Sequence, residues 1–469
     1  MLNILEKPVR HCDGIPRRVA MQIGTASLGA LTLPNLLRAE AASQLEGSRK
    51  GVINVHLDGG PPQMDMIDMK PDGPAEVRGE FRAIATSLPG FQICELMPRT
   101  AAIANKFAFV RSLVGSIGKH HAFQTQSGFD EKELAGIGGR PAFGCAINRL
   151  TKDASTDVPA YVDLMQGRGL VRNSTRPGFL GPAFAPFRPD LSKQFQRELE
   201  AGMKGELKRL GSEHAVSLEL MPGLNMNRLE DRHDLLHRLD TMRRNLDAGG
   251  SMEAVDRFTQ QAIGILTSGR FAEAFEWEKE DTATLKLYTP DDLGGAPNVT
   301  SEGPEAAKKL LLARRLVEAG VRVVSVSISD FDTHQKNFPR LRHLLPIVDT
   351  AIAGLITDLD QRGMLEDVSV VIWGEFGRTP KINSKGGRDH WPRVSPAILA
   401  GGKMNVGQVI GGTDRWAGEA TSQPVTFEDV IATLYHNLGI NPHQTTITDS
   451  RGRPQYLVDR GQPIKELVG

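Results

Sequence analysis

The feature that most constrains the fold is a set of short apolar runs, rich in β-branched residues and separated by helical patterns. We expect these runs to form buried strands, at residues 51–58, 107–114, 160–165, 321–329, 368–373 and 396–402. Residues 304–320 and 341–365 have the apolar spacing of helices; Gly320 caps the first, and Pro346 is expected in the first turns of the second. This alternation predicts an α/β fold whose mainly parallel sheet is covered on both faces.

The composition is that of an ordinary globular protein. The chain has 469 residues, of which 40% are hydrophobic and 24% charged, with a formal net charge of +0. This length allows one large domain or two, and the balanced charge argues against nucleic acid or an anionic membrane surface as the main partner. Residues 190–290 are charged, helix-periodic and almost free of strand signals, so we expect a helical insertion there.

The N-terminal residues 1–42 have the pattern of an export signal. Arg17 and Arg18 precede a weakly hydrophobic stretch at residues 23–37, and residues 39–41 fit an A-x-A cleavage site. These features resemble a twin-arginine signal, which implies the twin-arginine export machinery as a partner and a periplasmic or extracellular location. The alternatives are an amphipathic first helix or a short anchor. A stable membrane span is not expected, because it needs about 18 apolar residues.

Cysteine usage gives no metal motif. Cys12 lies in the removable segment, and neither Cys94 nor Cys145 lies in a C-x-x-C or C-x-P-x-R pattern. We expect two isolated buried thiols, although the spacing does not decide whether they pair in an oxidising compartment.

Three of the predicted strands run into acidic residues or histidines just past their C-terminal ends. These residues are Asp58 after the first strand, Asp332 and His334 after the fourth, and Glu375, Asp389 and His390 after the fifth. Open α/β sheets bind ligands at that edge, and a divalent cation would relieve the repulsion between the carboxylates. Carboxylate and imidazole ligands suit Zn²⁺, Mn²⁺ or Fe²⁺ better than Ca²⁺. The pattern predicts a metal site; the alternative is a set of loops held by salt bridges to Arg378 and Arg388.

A stretch rich in Gly and Ser, residues 111–129, follows the second predicted strand. His120 and His121 in this stretch can bind metal or substrate, or can be exposed histidines in a turn. A hydroxyl group for catalysis can come from Ser116, Thr125 or Ser127.

Several long blocks resemble the bacterial domain-of-unknown-function 1501 family, which belongs to the alkaline phosphatase and sulfatase superfamily. They include LDGGPPQMDMID, DTHQKNF, DLDQRGMLEDVSVVIWGEFGRTPKIN, GGRDHWP and PVTFEDVIATLYHNLGI. The resemblance implies that residues 50–469 form a three-layer α/β/α sandwich, alkaline-phosphatase-like, with the helical insertion and with metals at the carboxyl edge of the sheet.

The resemblance also implies roles for individual residues. Asp58 matches the first-strand aspartate ligand, Asp332 and His334 match an Asp-and-His metal pair, and His390 lies near the last histidine ligand. Glu375 lies near the usual Asp-His dipeptide but is followed by a phenylalanine, so one histidine ligand is missing.

The catalytic residues are less clearly marked than the metal ligands. No Ser or Thr stands clearly in the setting of the superfamily's nucleophile, and Ser116 is the nearest candidate. His121 and Arg378 are the other catalytic candidates, the arginine because a guanidinium can hold an anionic group bidentately. Arg388 is the alternative for that role. The missing C-x-P-x-R pattern gives no support for the formylglycine chemistry of sulfatases.

Two functions follow as hypotheses. The first is an exported metal-dependent hydrolase of phosphate or sulfate esters, with an anionic small molecule or a saccharide ester as substrate. Its cofactor would be a divalent metal, with Zn²⁺ or Mn²⁺ favoured and Ca²⁺ or Mg²⁺ as alternatives. The second is a non-catalytic exported protein that binds metal for stability or binds a partner.

Overall fold

The structure is a computed structural model that describes residues 49–151, 158–192, 194–195, 269–291 and 300–469. The expected export segment, residues 1–42, and most of the expected helical insertion at residues 190–290 lie outside the described residues. Within the described ranges, no helix combines the length and apolar character needed to cross a membrane.

The core of the described fold is an eight-stranded sheet. Its strands, numbered along the chain, are β1 (Gly51–Leu57), β2 (Ala108–Val114), β3 (Tyr161–Leu164), β4 (Val323–Ile328), β5 (Val368–Trp373), β6 (Ser395–Gly401), β7 (Gln408–Ile410) and β8 (Val425–Thr426).

The strand order places five C-terminal strand ends at one edge. Across the sheet the order is β7–β2–β6–β5–β1–β4–β3, and β8 pairs with the end of β2. All pairings are parallel except those of β6, which is antiparallel to β2 and to β5. The C-terminal ends of β1 to β5 therefore meet the N-terminal end of β6 at a single edge, which we call the carboxyl edge.

Within the part of the chain that the structure describes, four longer helices cover the sheet, and shorter helices occupy the loops. The longer ones are α1 (Phe143–Leu150), α2 (Lys308–Glu318), α3 (Asn337–Gln361) and α4 (Phe427–Asn437). The shorter α-helices are Gln63–Met66, Ala75–Arg78, Pro98–Ala102, Phe123–Ser127, Arg168–Val171, Gly269–Ala274, Thr282–Leu287 and Lys465–Val468. Single 3₁₀ turns are formed by Ala104–Lys106, Glu131–Leu134, Gly178–Leu180, Pro182–Phe184, Trp277–Lys279 and Pro304–Ala307.

Side-chain alternation along β1 divides the core into two halves. Ile53 and Val55 belong to one buried apolar cluster, which includes α2 and α3. Val52 belongs to the other, which includes α1 and α4. Because side chains in a strand alternate between faces, Asn54 and His56 share the face of Val52, and both are buried. The result is a three-layer α/β/α sandwich.

Four two-stranded sheets complete the strand structure of the described residues. They pair Ala83–Ala85 with Gln92–Cys94, Gly377–Arg378 with His390–Trp391, Gly412–Thr413 with Ala420–Ser422, and Thr446–Thr448 with Pro454–Tyr456.

The structure confirms the six predicted strands and the predicted fold class. The helix expected at 304–320 begins with a 3₁₀ turn before α2. The helix expected at 341–365 begins earlier, at Asn337, so Pro346 lies inside α3 and not in its first turns. Strands β7 and β8 were not predicted, because runs of two or three residues carry no periodic signal. Cys94 and Cys145 are both buried free thiols, which confirms the expectation of isolated thiols.

Candidate metal centre

The carboxyl edge gathers side chains from six strands of the sheet. They are Asp58 after β1, Ser116 and His120 after β2, Arg168 after β3, Asp332 and His334 after β4, Glu375 after β5, and His390 before β6. The fold therefore brings together at this edge the acidic residues and histidines that the sequence places after the strands.

Four of these residues form a compact cluster, which we call the first ligand group: His120, Asp332, His334 and His390. Their potential ligand atoms all lie within 4.8 Å of one another. Nε2 of His334 is 3.0 Å from Nε2 of His390 and 3.1 Å from Oδ1 of Asp332. Nε2 of His120 is 3.2 Å from Oδ2 of Asp332, and Nε2 of His390 is 3.6 Å from Oδ1.

Each histidine of the first ligand group is held through its other ring nitrogen. Nδ1 of His334 faces Asp389 at 2.7 Å, Nδ1 of His120 faces Glu375 at 2.8 Å, and Nδ1 of His390 faces the carbonyl oxygen of Gly118 at 3.1 Å. Oxygen acceptors at these distances hold a proton on each Nδ1 and so orient each ring with its Nε2 atom toward the group. All three Nε2 atoms then face the group, as in metal sites whose outer partners orient the ligands.

The donor set of the first ligand group fits a transition metal. Ligand atoms about 2.1 Å from a shared tetrahedral ion lie about 3.4 Å apart, and the separations given above run from 3.0 to 3.6 Å. Imidazole nitrogen with carboxylate oxygen is the donor chemistry of Zn²⁺, Mn²⁺ and Fe²⁺. The residues present therefore fit the expected cofactor.

The electrostatics of the group also favour a cation. Burial lowers the pKa of His120, but hydrogen bonds with Asp332 and Glu375 outweigh burial and raise that pKa to about 9. Burial raises the pKa of Asp332, yet hydrogen bonds with His120 and His390 and the nearby Arg378 guanidinium bring it well below its usual range. The carboxylate of Asp332 is thus held ionised, with its negative charge directed at the histidines.

A second ligand group lies beside the first and consists of His56, Asp58 and Glu375, all buried. Nε2 of His56 is 3.6 Å from Oε2 of Glu375 and 3.9 Å from Oδ1 of Asp58. Glu375 also accepts a hydrogen bond from the Gly59 backbone N–H at 2.9 Å and faces His120 at 2.8 Å. Glu375 is therefore the residue that connects the two groups.

Two glycines let the backbones of the site loops approach closely. A Cβ atom on Gly59, whose φ is +114°, would lie 2.5 Å from the backbone nitrogen of Asp332. A Cβ atom on Gly387 would lie 2.1 Å from the carbonyl group of His334. Contacts below 3 Å are not compatible with a side chain, so these glycines fix the loop that carries Asp332 and His334 against its neighbours.

The two arginines proposed from sequence as loop anchors are both fully buried. Arg378 donates to the carbonyl oxygens of Gly59, Gly60 and Arg388 and, at 2.8 Å, to Asp332. Its burial and these contacts place Arg378 under the site and not on its surface. Arg388 forms a bidentate pair with a buried aspartate, Asp65, at 2.8 Å through both oxygens.

The remaining candidates lie around the two groups. Ser116 donates its hydroxyl proton to the Glu375 carbonyl oxygen at 2.6 Å. His121 lies outside both groups and accepts from the Phe123 backbone N–H at 3.3 Å, and its pKa is lowered by burial and by nearby Arg176. Asp389 contacts the first ligand group only through Nδ1 of His334.

The comparison with known families matches residues 49–468 to a family described as protein of unknown function (DUF1501). The chain belongs to that family. No curated protein matched the sequence of this family member.

Among solved structures, this family member is similar to a sulfatase, PsFucS1 from Pseudoalteromonas sp., with 13% identity and a TM-score of 0.37, over 91% of this chain and 77% of that one. It is also similar to the phosphonate monoester hydrolase of Agrobacterium radiobacter, with 13% identity and a TM-score of 0.32, over 89% of this chain and 77% of the other. Scores this low say nothing about the substrate of this chain.

Sequence reasoning gave no role to two residues of the edge. The first is His56. The sequence feature that points to it is the H-x-D spacing, which puts His56 and Asp58 on one face of a mostly apolar strand. Arg168 is the other; it donates to Asp332 at 3.0 Å. The sequence leaves His120 open between a ligand and an exposed turn histidine, and the structure places it between Asp332 and Glu375.

Proposed function

We propose that this protein is a metal-dependent hydrolase of phosphate or sulfate esters. The observation that carries the proposal is the convergence of three imidazole nitrogens and a carboxylate within 4.8 Å in the first ligand group. The group lies at the carboxyl edge of a mainly parallel sheet, which is where α/β proteins bind ligands. The sequence resemblance to the alkaline phosphatase and sulfatase superfamily implies the same reaction class.

In this proposal His120, Asp332, His334 and His390 hold a divalent ion, with Zn²⁺ or Mn²⁺ favoured over Ca²⁺ or Mg²⁺ by the three imidazoles. Such an ion supplies Lewis-acid polarisation of an ester oxygen. The protein's contribution is preorganisation: the contacts of the three Nδ1 atoms direct each Nε2 inward before any ion is bound.

The anionic part of the substrate would be held by Arg168. The side chain of Arg168 is 16% exposed, whereas that of Arg378 is 0% exposed and donates to three backbone carbonyls. The guanidinium of Arg168 is 3.0 Å from Asp332 of the first ligand group, so an oxyanion bound beside that group would lie within its reach. Planar guanidinium groups bind phosphate and sulfate oxygens with two parallel hydrogen bonds.

The attacking group in this proposal is a water molecule. The hydroxyl of Ser116 donates to a backbone carbonyl at 2.6 Å and accepts from the Gly118 N–H at 3.1 Å. Both contacts are those of a residue that holds a loop. A nucleophilic serine needs a base within hydrogen-bond reach to accept its proton, and the Ser116 proton is directed at a carbonyl oxygen.

The same contacts also favour a second candidate function, a non-catalytic metal-binding role. Ser116 and Arg378 are both engaged by the backbone, as they would be in a site that only stabilises the fold. An assay must therefore separate metal binding from hydrolysis.

The test is an assay of the metal-loaded protein on phosphate monoesters, phosphate diesters and sulfate esters, including saccharide esters, after chelator treatment and addition of Zn²⁺, Mn²⁺, Mg²⁺ or Ca²⁺. We expect hydrolysis that requires Zn²⁺ or Mn²⁺ and falls at least about 100-fold in His390→Gln, because ligands of one ion act as a unit. His436→Gln is the matched control, since His436 is exposed on α4. Metal-loaded wild type that hydrolyses no ester would favour the non-catalytic role.

We also propose that the protein acts in the periplasm or outside the cell, delivered by the twin-arginine machinery. The support is the pattern of Arg17, Arg18, the apolar stretch and the A-x-A site within residues 1–42.

A further inference from the structure

We propose that Asp330 and Glu302 are positioning residues for the first ligand group. Their carboxylates hold the loop after β4, which carries Asp332 and His334, in the conformation that binds the ion. For its effect on hydrolysis this inference rests on the proposed function, whereas the argument for the loop uses only contacts within the chain.

The loop after β4 and the segment before α2 exchange hydrogen bonds. The Ser301 backbone N–H donates to Oδ2 of Asp330 at 3.2 Å, and the Ser329 backbone N–H donates to Oε1 of Glu302 at 2.9 Å. All four residues are buried, and a buried backbone N–H needs an acceptor because it has lost its contact with water. Each carboxylate therefore satisfies a donor on the opposite segment, and we call this pair of contacts the clamp.

The other oxygen of each carboxylate faces a cation on a helix. Nζ of Lys309, on α2, is 2.7 Å from Oε2 of Glu302, and both side chains are 1% exposed. Nη1 of Arg340, on α3, is 3.2 Å from Oδ1 of Asp330. Within the described residues, neither Glu302 nor Asp330 belongs to either ligand group. The two carboxylates therefore connect the loop to the helices that cover one face of the sheet.

The backbone of the loop has an unusual conformation at Asp330. Its φ is +88°, a value that residues other than glycine adopt rarely. Such a conformation persists only where the surroundings determine it, and it is common at ligand sites. The next residue, Phe331, donates its N–H to the Asp58 carbonyl oxygen at 3.1 Å, and Asp332 follows. A change of φ at Asp330 would therefore displace the chain that leads into Asp332 and His334.

Stability alone does not account for the buried pair of Glu302 and Lys309. Removing two charges from water costs about as much as their attraction returns, so apolar side chains of similar size often give equal or greater stability. A buried pair instead favours one geometry, because each charged group must stay beside its partner. A preorganised metal site needs such a geometry, since its ligands must be held in place before the ion arrives.

The experiment separates the clamp from the backbone conformation by comparing Asp330→Gly with Asp330→Asn. Both new residues tolerate a positive φ, but only asparagine keeps a side-chain oxygen that can accept from Ser301. Competition with a chromogenic chelator measures the Zn²⁺ affinity, and the absorption spectrum of the Co²⁺-loaded protein reports the ligand geometry. We expect Asp330→Gly to weaken binding about 10- to 100-fold, as for other outer partners of metal ligands, and to change the spectrum. Asp330→Asn should restore most of both.

Lys403→Gly is the matched control, because Lys403 is an exposed residue with a positive φ of +60°. It should change neither the affinity nor the spectrum. A residue that only stabilised the fold would change the urea unfolding of the metal-free protein and leave both metal readouts as they are. A folded Asp330→Gly variant with the affinity and spectrum of the wild type would overturn the proposal.

A second variant keeps the test decisive if Asp330→Gly does not fold. Glu302→Leu combined with Lys309→Met removes both buried charges together, so neither is left unpaired, and it removes the acceptor of the Ser329 N–H. We expect a variant that is folded by circular dichroism and binds Zn²⁺ at least about 10-fold more weakly than the wild type. Unchanged affinity in this folded variant would contradict the role of Glu302.

The outcomes also separate this inference from the proposed function. Metal binding that depends on the clamp, without hydrolysis of any ester, would remove only the proposed function. Metal-dependent hydrolysis that is unchanged in the folded clamp variants would remove only this inference. A wild type that binds no divalent metal would overturn both.

Discussion

The carboxylate of Asp389 lies 2.7 Å from Nδ1 of His334, while the opposite ring nitrogen, Nε2, faces Asp332 at 3.1 Å. Asp389 therefore orients a ligand and is not itself placed in the first ligand group. Asn383 supports it by donating to the same carboxylate at 3.3 Å.

The first prediction follows from this contact. Asp389→Ala should lower the affinity for one metal ion by about 10- to 100-fold, because outer partners fix the tautomer and direction of a ligating histidine. Competition with a chromogenic chelator would measure the affinity. Asp72→Ala, at an exposed aspartate, is the control. An Asp389→Ala variant with unchanged affinity would show that His334 needs no orienting partner.

The second prediction concerns Gly59. An unfavourable backbone conformation alone lowers the free energy of unfolding by about 1–3 kcal/mol. Gly59→Ala should lower it by more than this, because the added Cβ atom would lie 2.5 Å from the backbone nitrogen of Asp332. Gly90→Ala is a matched control, since Gly90 also has a positive φ, +75°, but no atom lies within 4 Å of its Cβ position. Urea unfolding of both variants gives the comparison. Equal losses would mean that the close approach of the two loops is unimportant.

The third prediction concerns the buried pair of Arg388 and Asp65, both of which are 0% exposed. Arg388→Met should destabilise the fold by about 3–5 kcal/mol, because it leaves a buried carboxylate without its partner. The exposed pair of Arg393 and Glu419 provides the control, and Arg393→Met should cost no more than about 1 kcal/mol. Thermal and urea unfolding measure both. Similar losses in the two variants would show that the buried pair does not anchor the loop before His390.

The fourth prediction concerns export. Replacing Arg17 and Arg18 with lysine should leave the protein in the cytoplasm, because the twin-arginine pathway reads the arginine pair. Cell fractionation and N-terminal sequencing of the exported wild type, expected to begin near Ala42, are the measurements. Unchanged export of the lysine variant would rule out this pathway.

The strands and their carboxyl edge could be predicted from the sequence because their signals are local. A run such as residues 368–373 is mostly apolar and β-branched, and the acid that follows it is expected at a strand end. The short strand β8 carries no such signal; it forms because its Val425 meets Leu113 of β2 in the folded sheet.

Individual roles at the site depended on contacts between distant segments. In the sequence, His56 is a single polar residue in an otherwise mostly apolar strand. Its place at the site follows from its proximity to Glu375, and the pairing of β1 with β5 creates that proximity. Likewise, the sequence does not distinguish an arginine that faces solvent from one that is buried. The sequence offers Arg378 or Arg388 as the anion-binding residue, but the turn at Gly59 and Gly60 uses the guanidinium of Arg378 for backbone contacts.

The most direct test of the central claim, a metal centre at the carboxyl edge of the sheet, is anomalous diffraction from crystals of the Zn²⁺- or Mn²⁺-loaded protein. The account predicts an anomalous peak bonded to His120, Asp332, His334 and His390. Loaded crystals with no anomalous peak at this group would contradict it.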